Sequence, residues 1–272
     1  MLIKDVKAID VHAHFGEYID PRSKIINKLC SSDIEYVLDC QKKANVSFTV
    51  VSPMEAFELP AKNCDPVRAN DEASVIADNY NEVFQWIVVH PDFEETFRQA
   101  EKRLASSKCL GMKIHPEMHE YHIKEHGKKL IEFAAKHKAV VLTHSGQENS
   151  KPEDFLEFTD ACPEMKLIVA HLGCRYDDDP FHQVYAVEQS KNGNVYLDTS
   201  SANNVTPRLI ETAVNMIGAD RMLYGSDLAC YFSPMQRARI DSAFISDEDK
   251  KKILYTNAMK LFSKIPYVEE KI

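Results

Sequence analysis

Eight short apolar segments recur along the 272-residue chain, and their spacing limits the folds open to it. Each is rich in Val, Ile or Leu, and most end in a polar or turn-forming residue. They cover residues 6–15, 46–54, 84–91, 109–116, 139–146, 166–173, 194–200 and 222–227. Continuous apolar runs of this length are typical of strands that are buried on both faces, as in a parallel sheet.

Amphipathic helical patterns lie between most of these segments. The predicted helices cover residues 32–45, 92–105, 128–138, 152–161, 179–190, 206–218 and 247–264. This alternation predicts an α/β protein in which eight parallel strands close into a single (β/α)8 TIM barrel over residues 1–272. A doubly wound open sheet is the alternative, but the first segment is not followed by a Gly-rich phosphate turn and the chain has only eight glycines.

Charge and composition exclude several partners. The net charge is −9, and no cluster of Lys and Arg predicts binding to nucleic acid or to an anionic membrane. No run approaches the roughly 20 apolar residues of a membrane helix, and the first residues lack a signal-peptide pattern. The seven cysteines form no CxxC pair, which favours free thiols in a reducing compartment. We therefore expect a cytoplasmic protein with no nucleic-acid or membrane partner.

Ionisable side chains recur where the predicted strands end. They are His12, His14, His90, Lys113, His115, His144, His171 and Asp227. In a barrel of this type the functional site lies at the C-terminal ends of the strands. His12 and His14 are two residues apart, so they project to the same side of their strand. Together with His144 and Asp227 they would form a ligand set that suits Zn²⁺ with an open position for water.

The alternative for each histidine is a buried core residue that is hydrogen-bonded to the backbone. Six of the eleven histidines share one end of the predicted barrel, which favours a site over six independent core residues.

The motifs DVHAH, HSG, AHLG and YGSD, in this order, resemble those of the amidohydrolase superfamily. GMKIHP and ILYTNAMKLF resemble its amidohydrolase-related branch (amidohydrolase 2), which includes aminocarboxymuconate-semialdehyde decarboxylase, the resorcylate decarboxylases and some lactonases. The resemblance runs from residue 9 to about residue 262. It implies that His12, His14, His144 and Asp227 bind one metal ion. It also implies that Asp227 exchanges a proton with the activated water and that His171 polarises the substrate.

Three further residues are predicted to bind substrate, each with a simpler alternative. Lys113 faces the substrate, pairs with a carboxylate or packs its stem in the barrel, and in some amidohydrolases a carbamylated lysine near this position bridges a second metal. His115 either contacts the substrate or caps the loop that follows it. Arg175 either grips an anionic group or pairs with the acidic run at 177–179. Tyr18, Tyr231 and Phe232 are expected to line the pocket or to cover its mouth.

The predicted function is a metal-dependent hydrolase that activates water against a small ester, lactone or amide. The alternative is a metal-dependent decarboxylase of a small unsaturated or aromatic acid, because both reactions occur in the branch that the chain resembles. One divalent ion is expected, Zn²⁺ first and Mn²⁺ second, with a second metal only if Lys113 is carbamylated. The expected partner is a small-molecule substrate, which an anionic group would suit, and the branch suggests a homodimer.

Two other hypotheses come from different classes. HIKEH, residues 122–126, matches the H-x-x-E-H pattern and would make the chain a zinc peptidase through His122, Glu125 and His126. It follows the fourth predicted strand at an outer position and lacks an unclaimed third ligand. The chain could also be a metal-loaded barrel without activity, but Asp227 and His171 are both present, which favours an enzyme.

Overall fold

Eight parallel strands pair in the order of the chain, and helices cover them on the outside. The structure is a computed structural model and describes residues 3–266. The strands are β1 (Ala8–Phe15), β2 (Val46–Pro53), β3 (Val83–Val88), β4 (Cys109–Ile114), β5 (Val140–Thr143), β6 (Lys166–Val169), β7 (Val195–Asp198) and β8 (Met222–Leu223). Seven of them fall inside the predicted apolar segments, and β3 begins one residue before its segment. The predicted (β/α)8 barrel is therefore confirmed.

The barrel closes between β1 and the segment that follows β8. β8 has only two residues, so a regular ladder does not form there. Instead, the backbone N–H of Val11 donates to the carbonyl of Tyr224 at 3.0 Å, and the backbone N–H of Asp227 donates to the backbone carbonyl of His12 at 2.7 Å. This irregular seam places Asp227 beside the end of β1.

The helices are α1 (Lys24–Cys30), α2 (Ile34–Lys43), α3 (Pro66–Asn79), α4 (Glu94–Arg103), α5 (Ile123–Lys136), α6 (Leu156–Ala161), α7 (His182–Gln189), α8 (Leu209–Ile217), α9 (Ser233–Asp241), α10 (Asp247–Lys251) and α11 (Asn257–Leu261). A π-helical turn at Lys252–Thr256 joins the last two. Sequence patterns predicted the remaining helices but missed α1, α3 and α9.

In the core, a large side chain packs against a residue without one. Trp86 on β3 is fully buried, and its indole N–H donates to the carbonyl of Val11 at 2.8 Å. On the next strand stands Gly111, where a Cβ atom would lie 2.6 Å from the Trp86 ring and 2.1 Å from the Val140 carbonyl. Only glycine allows this close approach of β4 to its neighbours.

Two properties of the described residues bear on the composition argument. Among residues 3–266, no helix is both long and apolar enough to cross a membrane. All seven cysteines are free thiols, as their spacing predicts.

Candidate metal centre

His12, His14 and Asp227 converge at the C-terminal end of the barrel. Both histidines project from β1, and the irregular seam brings Asp227 to them. Asp227 Oδ1 lies 3.1 Å from His14 Nε2 and 3.6 Å from His12 Nε2. One ligand atom from each of the three residues lies within 4.8 Å of the others, and all three residues are buried. We refer to these three residues as the His–His–Asp centre.

Hydrogen bonds orient both imidazole rings of the centre. His14 Nδ1 lies 3.2 Å from the carbonyl oxygen of Ser52, and His12 Nδ1 lies 2.8 Å from Asp198 Oδ2. An ionised carboxylate can only accept, so His12 carries its proton on Nδ1 and keeps the lone pair of Nε2. His14 Nδ1 also lies 3.0 Å from the Ser52 hydroxyl and its Nε2 faces Asp227; with a cation at Nε2, the His14 proton would point from Nδ1 to the Ser52 carbonyl. Metal-binding histidines are typically held in this way by a carbonyl or carboxylate. The centre therefore fits a divalent cation.

The protonation states also suit a cation. Burial lowers the pKa of His12 to about 3 and lowers the pKa of His14, so both rings are neutral at pH 7. Burial alone would raise the pKa of Asp227, but its interactions with His12 and His14 outweigh burial and hold that pKa below its usual range. No ligand has to lose a proton before an ion binds at neutral pH.

His144, the predicted third imidazole ligand, lies one contact away from the centre. Its Nδ1 is 3.0 Å from His171 Nε2, and its Nε2 is 2.5 Å from Gln147 Oε1. It belongs to neither of the groups of potential ligands found among residues 3–266. The structure thus brings His144 to the same cavity but connects it through His171, and its role as a ligand stays a prediction.

His171 lies beside the centre and lines the same cavity. Its Nδ1 donates to the carbonyl oxygen of Ser200 at 2.6 Å and lies 3.9 Å from Asp227 Oδ2. Both His171 and Asp227 have positive φ, at 72° and 55°. Such backbone costs on the order of 1 kcal/mol or more per residue and is concentrated at functional sites. The two predicted catalytic residues therefore share a strained conformation that the surrounding contacts must hold.

Lys113 is fully buried, and its Nζ lies 2.8 Å from His12 Nε2. Burial lowers the pKa of Lys113 to about 8. Lys113 does not line the cavity above the centre, so the structure places it behind His12 rather than against the cavity. A cation at His12 Nε2 and the Lys113 ammonium compete for the same lone pair.

The other two predicted substrate residues differ in position. His115 lines the cavity, stacks on His144 at 4.3 Å between ring centroids, and accepts the backbone N–H of Met118 through Nδ1. It can therefore both cap its loop and face a substrate. Arg175 is exposed and is not among the residues that line the cavity. Its binding role stays a prediction without a contact to support it.

A cavity of about 380 Å³ opens above the centre. Tyr18 and Tyr231 line it as expected, whereas Phe232 is half exposed and does not. Its apolar lining includes Met54, Phe57, Leu59 and Met118. Arg22 lies at the mouth, where its guanidinium pairs with Asp20.

Two residues at the site, Asp198 and Arg22, were not predicted from the sequence. Asp198 ends β7 and contacts His12, so the rule that strand ends carry the site would have found it. Arg22 lies in a loop, and no periodic pattern shows which loop side chains face the mouth.

The HIKEH segment does not form a second site. His122 caps α5, and its Nδ1 accepts the backbone N–H of Lys124 at 3.2 Å. Neither His122 nor His126 belongs to a potential metal-binding group within the part of the chain that the structure describes.

A parallel barrel with buried histidines and a carboxylate at the C-terminal ends of its strands defines the class of metal-dependent barrel enzymes. The chain belongs to the family Amidohydro_2, described as Amidohydrolase, whose model matches residues 9–264. No curated protein matches the chain.

Several solved structures share the fold. An amidohydrolase II structure is 18% identical and superposes with a TM-score of 0.66, covering 94% of this chain and 100% of the other. The 2,6-dihydroxybenzoate decarboxylase from Rhizobium is 13% identical, with a TM-score of 0.69 and coverage of 94% and 98%. The 5-carboxyvanillate decarboxylase from Novosphingobium aromaticivorans, solved with manganese and a nitrobenzoic acid, is also 13% identical, with a TM-score of 0.69 and coverage of 94% and 96%.

Proposed function

We propose that this chain is a metal-dependent hydrolase that uses an activated water on a small ester, lactone or amide. The observation that carries the proposal is the convergence of the Asp227 carboxylate with the Nε2 atoms of His12 and His14. A divalent ion held by these three residues would supply Lewis-acid activation of water. Asp227 can then accept the proton of that water and return it to the leaving group.

His171 lines the same cavity and supports the same reaction. Its Nδ1–H is committed to the Ser200 carbonyl, so Nε2, which faces His144 Nδ1 at 3.0 Å, is the nitrogen left to hold or transfer a proton. A proton at Nε2 would polarise a substrate carbonyl. The geometry therefore separates a base, Asp227, from an electrophilic group, His171.

The cavity walls favour a neutral substrate. Among the described lining residues, Arg22 is the one Lys or Arg, and it is already paired with Asp20. A substrate carboxylate would therefore find no unpaired basic side chain on these walls. A neutral carbonyl compound needs no unpaired basic side chain in order to bind.

A second candidate is decarboxylation of a small aromatic acid. It is favoured by the activities of two proteins that share the fold, the 2,6-dihydroxybenzoate and 5-carboxyvanillate decarboxylases. Phe57 and the stacked His115 and His144 offer flat surfaces to such a ring.

We further propose one divalent ion per chain. A set of imidazole and carboxylate ligands suits Zn²⁺ and also accommodates Mn²⁺. A second metal would require a carbamylated Lys113. A homodimer and a cytoplasmic location remain part of the proposal.

The test combines metal analysis with a substrate panel. Protein purified without added metal is measured for bound metal, is reloaded with Zn²⁺ or Mn²⁺, and is then offered lactones, esters, amides and aromatic acids. We expect about one ion per chain and metal-dependent hydrolysis. Release of CO₂ without hydrolysis would establish the second candidate instead. A protein that cannot be loaded with either metal would contradict both.

A further inference from the structure

We propose that Asp198 is a positioning residue that sets, with one carboxylate, the tautomer of His12 and the backbone conformation of His171. This inference rests on the proposed metal-dependent function. It concerns how the metal ligand and the electrophilic histidine are held in register with each other.

The carboxylate of Asp198 joins three parts of the barrel. The residue ends β7 and is fully buried. Its Oδ2 faces His12 Nδ1 at 2.8 Å, and its Oδ1 accepts the backbone N–H of His171 at 2.8 Å and that of Ser200 at 3.0 Å. The hydroxyl of Ser200 also donates to Oδ1, at 2.5 Å. Every one of these partners can act as a donor. An ionised carboxylate can accept from all of them, whereas an amide would present its NH₂ donor to one side.

The first consequence is the tautomer of His12. Because Asp198 only accepts, the His12 proton stays on Nδ1 and Nε2 points its lone pair at the His–His–Asp centre. Lys113 supports this independently, since its Nζ lies 2.8 Å from Nε2 and an ammonium group can only donate. The opposite tautomer would place a proton where the metal has to bind.

The second consequence is the position of His171. Its φ of 72° is unfavourable for a residue with a side chain, and Asp198 holds its backbone N–H in that conformation. Asp198 also holds the backbone N–H of Ser200, whose carbonyl accepts the His171 Nδ1–H at 2.6 Å. One carboxylate therefore orients both the backbone and the ring of His171.

The variant Asp198→Asn tests this with almost no change of shape. Whichever way the amide is turned, its NH₂ group faces a donor: the Nδ1–H of His12 or the backbone N–H groups of His171 and Ser200. We expect the affinity for Zn²⁺ and Mn²⁺ to fall by about 10- to 100-fold, measured by competition with a chromophoric chelator. Circular dichroism of the metal-free variant should match that of the unchanged protein.

The matched control is Asp39→Asn, which removes the same charge from an exposed position on α2. Its metal affinity should equal that of the unchanged protein. An Asp198→Asn variant that folds and binds metal equally well would overturn the inference while leaving the proposed function intact. A protein that binds no metal without any substitution would instead contradict the proposed function.

A second measurement does not need metal or a variant that folds. Long-range ¹H–¹⁵N spectra of the metal-free protein report which ring nitrogen of His12 carries the proton. We expect the proton on Nδ1. A His12 ring with its proton on Nε2 would overturn the inference, even if Asp198→Asn fails to fold.

Discussion

At the scale of single residues, the site depends on which nitrogen of each imidazole carries the proton. The Asp198 carboxylate takes the Nδ1–H of His12, and the Ser52 carbonyl can take that of His14 when a cation occupies Nε2. Asp227 supplies the single negative charge among the three converging atoms. Burial lowers the pKa of His12 and keeps its ring neutral at pH 7, whereas the contacts of Asp227 with the histidines lower its pKa against the effect of burial.

Asp227→Asn should abolish turnover. Asparagine tolerates the positive φ of this position better than other side chains, so the fold should survive, but the amide cannot take a proton from water. We expect kcat to fall by about 10²- to 10⁴-fold at saturating metal, with an unchanged circular dichroism spectrum. Turnover equal to that of the unchanged protein would refute the proton role of Asp227.

Arg22→Ala should discriminate between substrates by charge. Arg22 is the basic side chain at the cavity mouth, although its pairing with Asp20 weakens it as an anion site. We expect KM to rise about three- to tenfold for substrates with a carboxylate and to change little for neutral ones. Arg98→Ala, on the outer helix α4, is the control, and equal effects of both variants would contradict the expectation.

At the scale of elements, the seam between β1 and the segment after β8 determines where Asp227 lies. Asp10 on β1 is fully buried and accepts the backbone N–H of His12 at 3.0 Å and that of Ser226 at 2.9 Å. The hydroxyl of Ser226 donates to the same carboxylate at 2.5 Å. This cross-link fixes the segment that carries Asp227 where β8 is too short to do so.

Ser226→Ala should therefore destabilise the metal-free protein. The change removes a donor to a buried carboxylate, which typically costs about 1–3 kcal/mol. The measurement is the free energy of unfolding in urea with EDTA present. Ser263→Ala, at an exposed position, should change that free energy by less than about 0.5 kcal/mol. Equal stabilities of the two variants would show that the seam does not depend on this bond.

The elements that sequence patterns missed share a physical cause. α3 buries mainly alanines, and α1 buries no residue at all. α9 buries Gln236 and Arg237 beside Ile240, so its inner face is largely polar. None of the three has the stripe of large apolar residues from which a helix is recognised. Strands were predicted well because all eight are buried, and their apolar runs are continuous.

At the scale of the whole molecule, buried neutral histidines link stability to pH. Burial lowers the pKa of His90 to about 4. The ring of His119 lies 4.4 Å away between centroids, and burial lowers the pKa of His119 as well. Asp92 counteracts this shift for His90, and His126 adds to it. In the unfolded chain a histidine has a pKa near 6.5, so the unfolded state binds the proton first.

The stabilising contribution of neutral His90 is therefore complete above about pH 6.5 and is lost as the pH falls towards 4. For His90 alone the loss amounts to roughly 3 kcal/mol. In His90→Asn the side-chain carbonyl can still accept the backbone N–H of Asp92, so stability at pH 7.5 should be largely kept. Urea unfolding with EDTA from pH 7.5 to 4.5 should then show a weaker loss than for the unchanged protein, and parallel curves would contradict this.

The sequence by itself determined the barrel and the position of His12, His14, His171 and Asp227 at one end of it. These follow from local periodicity and from the rule that parallel strands end at the same edge. Only the tertiary structure decided that His144 contacts His171 rather than His12, that Lys113 lies behind a ligand, and that Arg22 rather than Arg175 lines the cavity. These outcomes depend on loop paths and on contacts between residues up to about two hundred positions apart, such as Asp198 with His12, which no local pattern encodes.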